Sequence, residues 1–146
     1  MESSHKMNDP TRDLFIFEIG ETLQDGLQSP VPTVCLLVAD ELVSAIDLEA
    51  LIGPLVRSGC RHFMTWGRVA AALHDAVDFV LEDNAGDFLE VVSTSHENEP
   101  AIDVAWFLIN AAVPGEKNLR CCIGYLKNTK GLDDLLKCVQ EEMDGN

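Results

Sequence analysis

The chain contains 146 residues, 47% of them hydrophobic, and its 25 acidic against 10 basic residues give a formal net charge of −15. These values predict one globular domain and disfavour direct binding of nucleic acid, because neutralising phosphates requires Lys and Arg. Since no apolar run approaches the roughly 20 residues of a membrane span and the opening residues are polar, we expect a soluble cytoplasmic protein without membrane contact.

Residues 1–30 are predicted to form a flexible N-terminal segment. Within it, the apolar run DLFIFEIG at 13–20 is compatible with an edge strand and also with an opening helical turn. The Gly, Ser and Pro residues of GLQSPVP then indicate a connector. We expect one α/β domain to span residues 31–146.

The first predicted core strand, at residues 33–39, is a continuous apolar run that is typical of a strand buried on both faces. A helix should follow it, with Ser44 and Asp47 at its start and Gly59 at its end. Pro54 is expected to bend or interrupt this helix, because proline has no backbone N–H to donate.

Three further pairs of strand and helix are predicted along the chain. The strands are expected at 61–66, near 88–93 and at 120–126, from the segments RHFMTW, FLEVVS and RCCIGYL. Apolar residues at helical spacing follow each strand. The helix after the third strand should begin near Pro100, with a polar side chain from 95–99 as its cap.

Four strands that alternate with helices predict an α/β fold. We expect a three-layer Rossmann-like or flavodoxin-like sandwich with a mainly parallel sheet of four to five strands. The four core strands, numbered along the chain, are expected in the order 2-1-3-4, with the first one central because it is the most apolar. Ligands of such sheets bind outside the carboxyl ends of the strands.

The acidic excess is concentrated in one stretch, since residues 69–116 contain no Lys or Arg. On the helix predicted there, Asp75, Asp78 and Glu82 share the outer face with His74. Either these charges keep the protein soluble, or they form a docking surface for a basic protein. The segment HDAVD is similar to the metal-binding HD hydrolases at two residues, but the other ligands are missing, which favours a solvated acidic face.

The five cysteines lie mostly within apolar runs, as expected for reduced thiols in a core. Cys121 and Cys122 should point to opposite faces of a strand, which disfavours a shared disulfide or metal ion. The chain has no CxxC, GxGxxG, GxxxxGK[ST] or GxSxG motif. We therefore predict no metal site and no cofactor.

Four stretches of the chain carry a family resemblance: SGCRHFMTWG (58–67), HDAVD (74–78), STSHENEP (93–100) and DVAWF (103–107). In order and spacing they resemble a family of small uncharacterised bacterial proteins, a domain of unknown function. That family has Gly-Cys-Arg, Trp-Gly, Asp-rich, Thr-x-His-x-x-Glu and Trp-Phe elements. Ser95 stands where the family would be expected to have Trp. The resemblance covers roughly residues 31–126, and it implies domain limits and a bacterial origin rather than an activity.

His96 lies where the third strand should end and the next helix begin, and two interpretations of it remain open. It could be a general base or metal ligand beside Glu97 and Glu99, with Asp40 projecting from the neighbouring strand end. Alternatively, the polar residues here cap the helix, and His96 is a partly exposed loop residue whose removal costs little stability. Trp66 either lines a pocket or packs beneath the following helix.

The expected function is that of a small acidic binding or regulatory module, which contacts a basic protein surface. Its expected binding residues are Trp66, Asp75, Asp78, Glu82 and Glu99. One alternative is a small hydrolase, with or without metal assistance, whose catalytic candidates are Asp40, His96 and Glu97. A further alternative is an acidic inhibitor that imitates nucleic acid, which the ordinary hydrophobic core pattern disfavours.

Overall fold

The computed structural model describes residues 11–21, 31–83 and 90–145. Its elements are β1 Thr11–Glu18, β2 Thr33–Val38, α1 Ala45–Arg57, β3 Cys60–Trp66, α2 Ala70–Asp83, β4 Val92–Ser95, α3 Ala101–Asn110, β5 Asn118–Tyr125 and α4 Leu132–Gly145. The other residues of the segment predicted to be flexible, and the start of the third predicted strand, lie outside the described residues. The predicted α/β class is confirmed.

All five strands are parallel and are arranged in the order β1-β5-β2-β3-β4. The run at 13–20 contributes most of β1, an edge strand that pairs with β5 from Thr11↔Asn118 to Glu18↔Tyr125. All six residues of β2 are buried, between β5 and β3. The prediction that this strand is central is therefore confirmed.

The predicted order of the core strands, 2-1-3-4, is wrong. The third core strand, β4, lies at the edge beside β3, and the fourth, β5, lies between β1 and β2. The physical reason is burial. Strand β4 has only four residues, three of them polar, and suits an edge. Strand β5 is buried from Leu119 to Gly124 and needs a neighbour on each side.

The helices divide the buried side chains into two core clusters. One joins Cys35 and Leu37 of β2 to residues of α1 and α2, and the other joins Leu36 of β2 to residues of α3 and α4. Cys122 lies in the first cluster and Cys121 in the second, as expected for adjacent residues of a strand.

The ends of α1 follow the predicted signals. The Ser44 side chain accepts a hydrogen bond from the backbone N–H of Asp47 at 3.1 Å, and Gly59 has a φ of +106° just beyond the helix. The expected interruption at Pro54 is wrong, since the helix continues to Arg57. Pro54 lies in the last turn, so only three helical residues follow the hydrogen bond that its missing N–H removes. No helix within residues 11–21, 31–83 and 90–145 combines the length and apolar character that crossing a bilayer requires.

Candidate functional site

The carboxyl ends of the strands meet along one edge of the parallel sheet. The chain runs outward from β2 through β3 to β4 and then returns to place β5 on the other side of β2. The strand order therefore reverses between β2 and β5, and such a reversal opens a crevice where α/β proteins commonly bind ligands.

Asp40, just after β2, ties together two loops of this edge. Its Oδ1 accepts the backbone N–H of Arg68, and its Oδ2 accepts the backbone N–H of Lys130, both at 2.9 Å. These two hydrogen bonds, that of Lys130 being the larger effect, lower the pKa of Asp40 below its ordinary value of 3.8. Asp40 is thus held as a carboxylate, and each of its oxygens binds the backbone of a different loop.

Asp40→Asn should remove about 1 kcal/mol of stability at neutral pH, because an amide cannot accept both backbone hydrogen bonds. The folded-state pKa of Asp40 lies below the unfolded value, so its contribution is present above pH 3.8 and is lost as the pH falls through the folded-state pKa. Urea unfolding at neutral and acid pH should show the difference between wild type and variant shrinking on acidification. Asp83→Asn, at an exposed carboxylate of α2, is the control. A difference that stays constant with pH would contradict the assignment.

Beside Asp40 lies a cavity of about 260 Å³, here called the β2–β5 cavity. It is lined by Asp40, Glu41, Arg68, Leu126, Lys127, Asn128, Thr129 and Lys130. Three cationic residues and two acidic ones, Asp40 and Glu41, therefore line the crevice where the strand order reverses.

A second cavity, of about 470 Å³, opens farther along the same edge. This Trp66 cavity is lined by Trp66, Gly67, Arg68, Asn98, Glu99 and Pro100. The indole Nε1 of Trp66 donates to the carbonyl oxygen of Glu99 at 2.8 Å, which fixes the indole at the wall of the cavity. Arg68 is common to both cavities.

A chain of four hydrogen bonds, here called the histidine chain, runs from the Trp66 cavity into the protein. The Glu99 carboxylate lies 3.1 Å from Nδ1 of His96, and Nε2 of His96 lies 2.7 Å from the Thr94 hydroxyl. The same hydroxyl lies 2.8 Å from Nε2 of His62, whose Nδ1 lies 2.9 Å from the Ala112 carbonyl oxygen. Both histidines are buried.

The histidine chain needs one more proton than its neutral members supply. Four hydrogen bonds require four protons, whereas two neutral imidazoles and one hydroxyl provide three and the Glu99 carboxylate provides none. Burial lowers the pKa of His62, which keeps this ring neutral. The hydrogen bond between His96 and Glu99 therefore requires a proton beyond these three.

The structure brings His96, Glu99 and Trp66 together, but it does not give His96 the partly exposed position that the sequence indicated. His96 is only 4% exposed. Its backbone N–H donates to the Thr65 carbonyl oxygen at 2.8 Å, which extends the β3–β4 pairing by one residue, and its ring lies 4.9 Å from that of Phe107. Tertiary pairing therefore buries a side chain that local sequence placed in a loop.

The predicted polar cap of α3 is also wrong. Pro100 occupies the N-cap position and makes no side-chain cap hydrogen bond. The Glu99 carboxylate contacts His96, and Glu97 is exposed, with no hydrogen bond or ion pair to any residue that the structure describes. Within the same residues, Asp40 and His96 are not joined by a hydrogen bond or an ion pair, so the three catalytic candidates do not form one group.

The acidic residues of α2 divide into two sets. Asp78 accepts a hydrogen bond from the Ser93 hydroxyl and lies 3.6 Å from Nε2 of His74, so it is partly used in joining α2 to β4. The Asp75 side chain is 86% exposed, Glu82 is exposed, and Phe79 between them is 69% exposed. The outward surface of α2 is therefore an aromatic side chain flanked by carboxylates.

The thiols contribute to the core rather than to a site. Burial raises the pKa values of Cys121 and Cys122 to about 12, so neither is a thiolate at neutral pH. All five cysteines are free. In residues 11–21, 31–83 and 90–145, no group of three or more His, Cys, Asp or Glu side chains is arranged to hold a metal ion.

Several residues of this edge were missed from the sequence. Arg68 and Lys130 follow strand ends, and this position was a signal that could have identified them as lining residues. Thr94 also follows a predicted strand end, whereas His62 gave no such signal, because it comes near Thr94 only through the pairing of β3 with β4.

Comparison with known proteins identifies the family. A family model described as a domain of unknown function (DUF7684) matches residues 15–140. No curated protein and no solved structure gives a match. Because the family match spans most of the chain, this protein belongs to the DUF7684 family of domains of unknown function.

Proposed function

We propose that this protein is a protein-binding module whose outward α2 surface docks on a basic surface of a partner. The observation that carries the proposal is Phe79, 69% exposed on a helix whose neighbouring outward side chains are the carboxylates Asp75 and Glu82. Exposed aromatic residues are enriched at protein interfaces, where they often provide most of the binding energy.

The charge distribution supports a basic partner. No Lys or Arg occurs between residues 69 and 116, so α2 presents negative charge that neighbouring residues of this stretch do not neutralise. Such a surface accelerates encounter with a basic partner and discriminates against acidic ones. We infer an interface in which Phe79 fills an apolar pocket and the carboxylates at its rim pair with Lys or Arg.

The proposal is tested by affinity capture from the source cells, with quantification of each captured protein. Phe79→Ser should reduce capture of the specific partner at least about tenfold, as expected for a central aromatic contact. The double variant Asp75→Asn, Glu82→Gln should weaken capture at low salt and flatten its salt dependence, because exposed charges are screened within about 8 Å at physiological ionic strength. Asp78 is left unchanged because it binds Ser93.

The matched control removes the same number of charges elsewhere. Glu49→Gln with Glu141→Gln neutralises exposed carboxylates on α1 and α4, and it should leave capture unchanged. A partner qualifies only if it binds purified wild-type protein directly and loses affinity for the α2 variants. Equal losses for the α2 and control variants would show a nonspecific effect of charge and would overturn the proposal.

The hydrolase alternative has less support from the geometry. Both ring nitrogens of His96 are engaged within the histidine chain, so His96 can act on an outside substrate only by breaking one of these hydrogen bonds. Asp40 has both oxygens engaged as well. An inhibitor that imitates nucleic acid would present its carboxylates without the exposed Phe79, which favours the protein-binding proposal over this alternative.

We also propose a finer description of the fold. The two core clusters, one with α1 and α2 and the other with α3 and α4, support a three-layer, Rossmann-like arrangement. The five free cysteines are compatible with a reducing, cytoplasmic compartment.

A further inference from the structure

We propose that the β2–β5 cavity binds a phosphate group, either inorganic phosphate or the phosphate of a small organic monoester. The inference is separate from the proposed protein-binding function, because the cavity lies at the carboxyl edge of the sheet and includes no residue of the α2 surface. The inference rests on a cavity, on the three cationic residues that line it, and on its position where the strand order reverses.

The cations are unevenly distributed over an acidic protein. Three of the ten Lys and Arg residues, namely Arg68, Lys127 and Lys130, line this one cavity. Nζ of Lys127 lies 3.8 Å from a carboxylate oxygen of Glu18, whereas the side chains of Arg68 and Lys130 form no ion pair with any described residue. Two exposed cationic side chains are therefore available to a ligand.

Asp40 holds the cavity in shape, and its carboxylate and that of Glu41 leave the three cations of the lining with a net charge of +1. The two oxygens of Asp40 are occupied by the backbone N–H groups of Arg68 and Lys130, which leaves both cationic side chains to bind elsewhere. The buried Thr129 hydroxyl donates to the Leu126 carbonyl oxygen at 2.7 Å, and this bond fixes the loop after β5. The walls of the cavity are thus set by hydrogen bonds that do not involve a ligand.

The size and donor set favour a phosphate group over a larger ligand. The volume of about 260 Å³ lies below the roughly 300–1,000 Å³ of cavities that hold drug-sized molecules. A guanidinium can donate two hydrogen bonds to phosphate oxygens, and each ammonium adds a positive charge. Arg68 also lines the Trp66 cavity, which offers space for the organic part of a monoester.

The test is a titration of ¹⁵N-labelled protein with inorganic phosphate and, separately, with glycerol 3-phosphate, at an ionic strength kept constant with sodium chloride. We expect saturable shifts for the backbone N–H signals of residues 40–41, 68 and 126–131. Lys130→Gln should weaken binding about fivefold, by loss of a charge-assisted contact. It keeps the backbone hydrogen bond to Asp40, so its fold should be retained.

Lys137→Gln is the matched control, because it removes the same charge from an exposed position on α4. Its affinity should stay within about twofold of wild type. Tighter binding of glycerol 3-phosphate, with a shift of the Trp66 indole N–H, supports the site and identifies a monoester as the ligand. Tighter binding of inorganic phosphate supports the site and identifies the free anion. Absence of saturable shifts with both anions, or equal weakening in the two variants, would overturn the proposal.

Discussion

Gly67→Ala should destabilise the protein by roughly 3–4 kcal/mol, because the added methyl group meets both backbone strain and a close backbone contact. Gly67 directly follows β3 and has a φ of +115°, which residues with a side chain rarely adopt. A Cβ built there would lie 2.3 Å from the carbonyl oxygen of Ala39, in the fully buried segment after β2. Strand β3 must therefore move away from β2 to accept the methyl group, and the loop that carries Arg68 must move with it.

Gly115→Ala separates the backbone strain at positive φ from the contact of the added methyl group with its neighbours. Gly115 also has a positive φ, of +86°, but an added Cβ would meet no atom within 4 Å. This variant should cost only about 1 kcal/mol, the backbone strain alone. Chemical denaturation of both variants measures the difference. Equal losses would show that the close approach of Gly67 to Ala39 does not determine the stability of this edge.

His96→Ala is expected to cost roughly 2–3 kcal/mol, because it removes the partner of the Glu99 carboxylate and one of the two partners of the Thr94 hydroxyl, and opens a space beside Phe107. This value replaces the small loss that the sequence suggested for a loop histidine. Glu99→Gln should cost about 1 kcal/mol or less, since the new amide N–H can donate to Nδ1 of His96 and so supply the fourth hydrogen bond of the histidine chain.

His74→Ala is the matched control for His96→Ala. His74 is also bound to residues of β4, but its side chain is 23% exposed, so its removal should cost less than about 1 kcal/mol. Thermal unfolding and urea titration of the three variants at neutral pH provide the comparison. If His96→Ala and His74→Ala lose the same small amount, the histidine chain does not contribute to stability.

Site residues at the ends of strands could be predicted from the sequence, whereas those that depend on strand pairing could not. Trp66, His96 and Glu99 were identified because they follow predicted strand ends, and the carboxyl ends of parallel strands share one edge. The burial of His96 was not predicted, because it depends on a hydrogen bond to Thr65 of another strand and on contact with Phe107. His62 was not identified from the sequence, because only the pairing of β3 with β4 brings it to Thr94.

The sequence by itself determined the α/β class, the central position of β2 and the start of α1, because these depend on local apolar runs and on a local cap at Ser44. It also determined that Cys121 and Cys122 face opposite ways, since that follows from the geometry of any strand. Only the tertiary structure decided that β5 rather than β4 adjoins β2. That choice depends on how much surface the whole sheet buries, and it places Asp40 beside Lys130 and so forms the β2–β5 cavity.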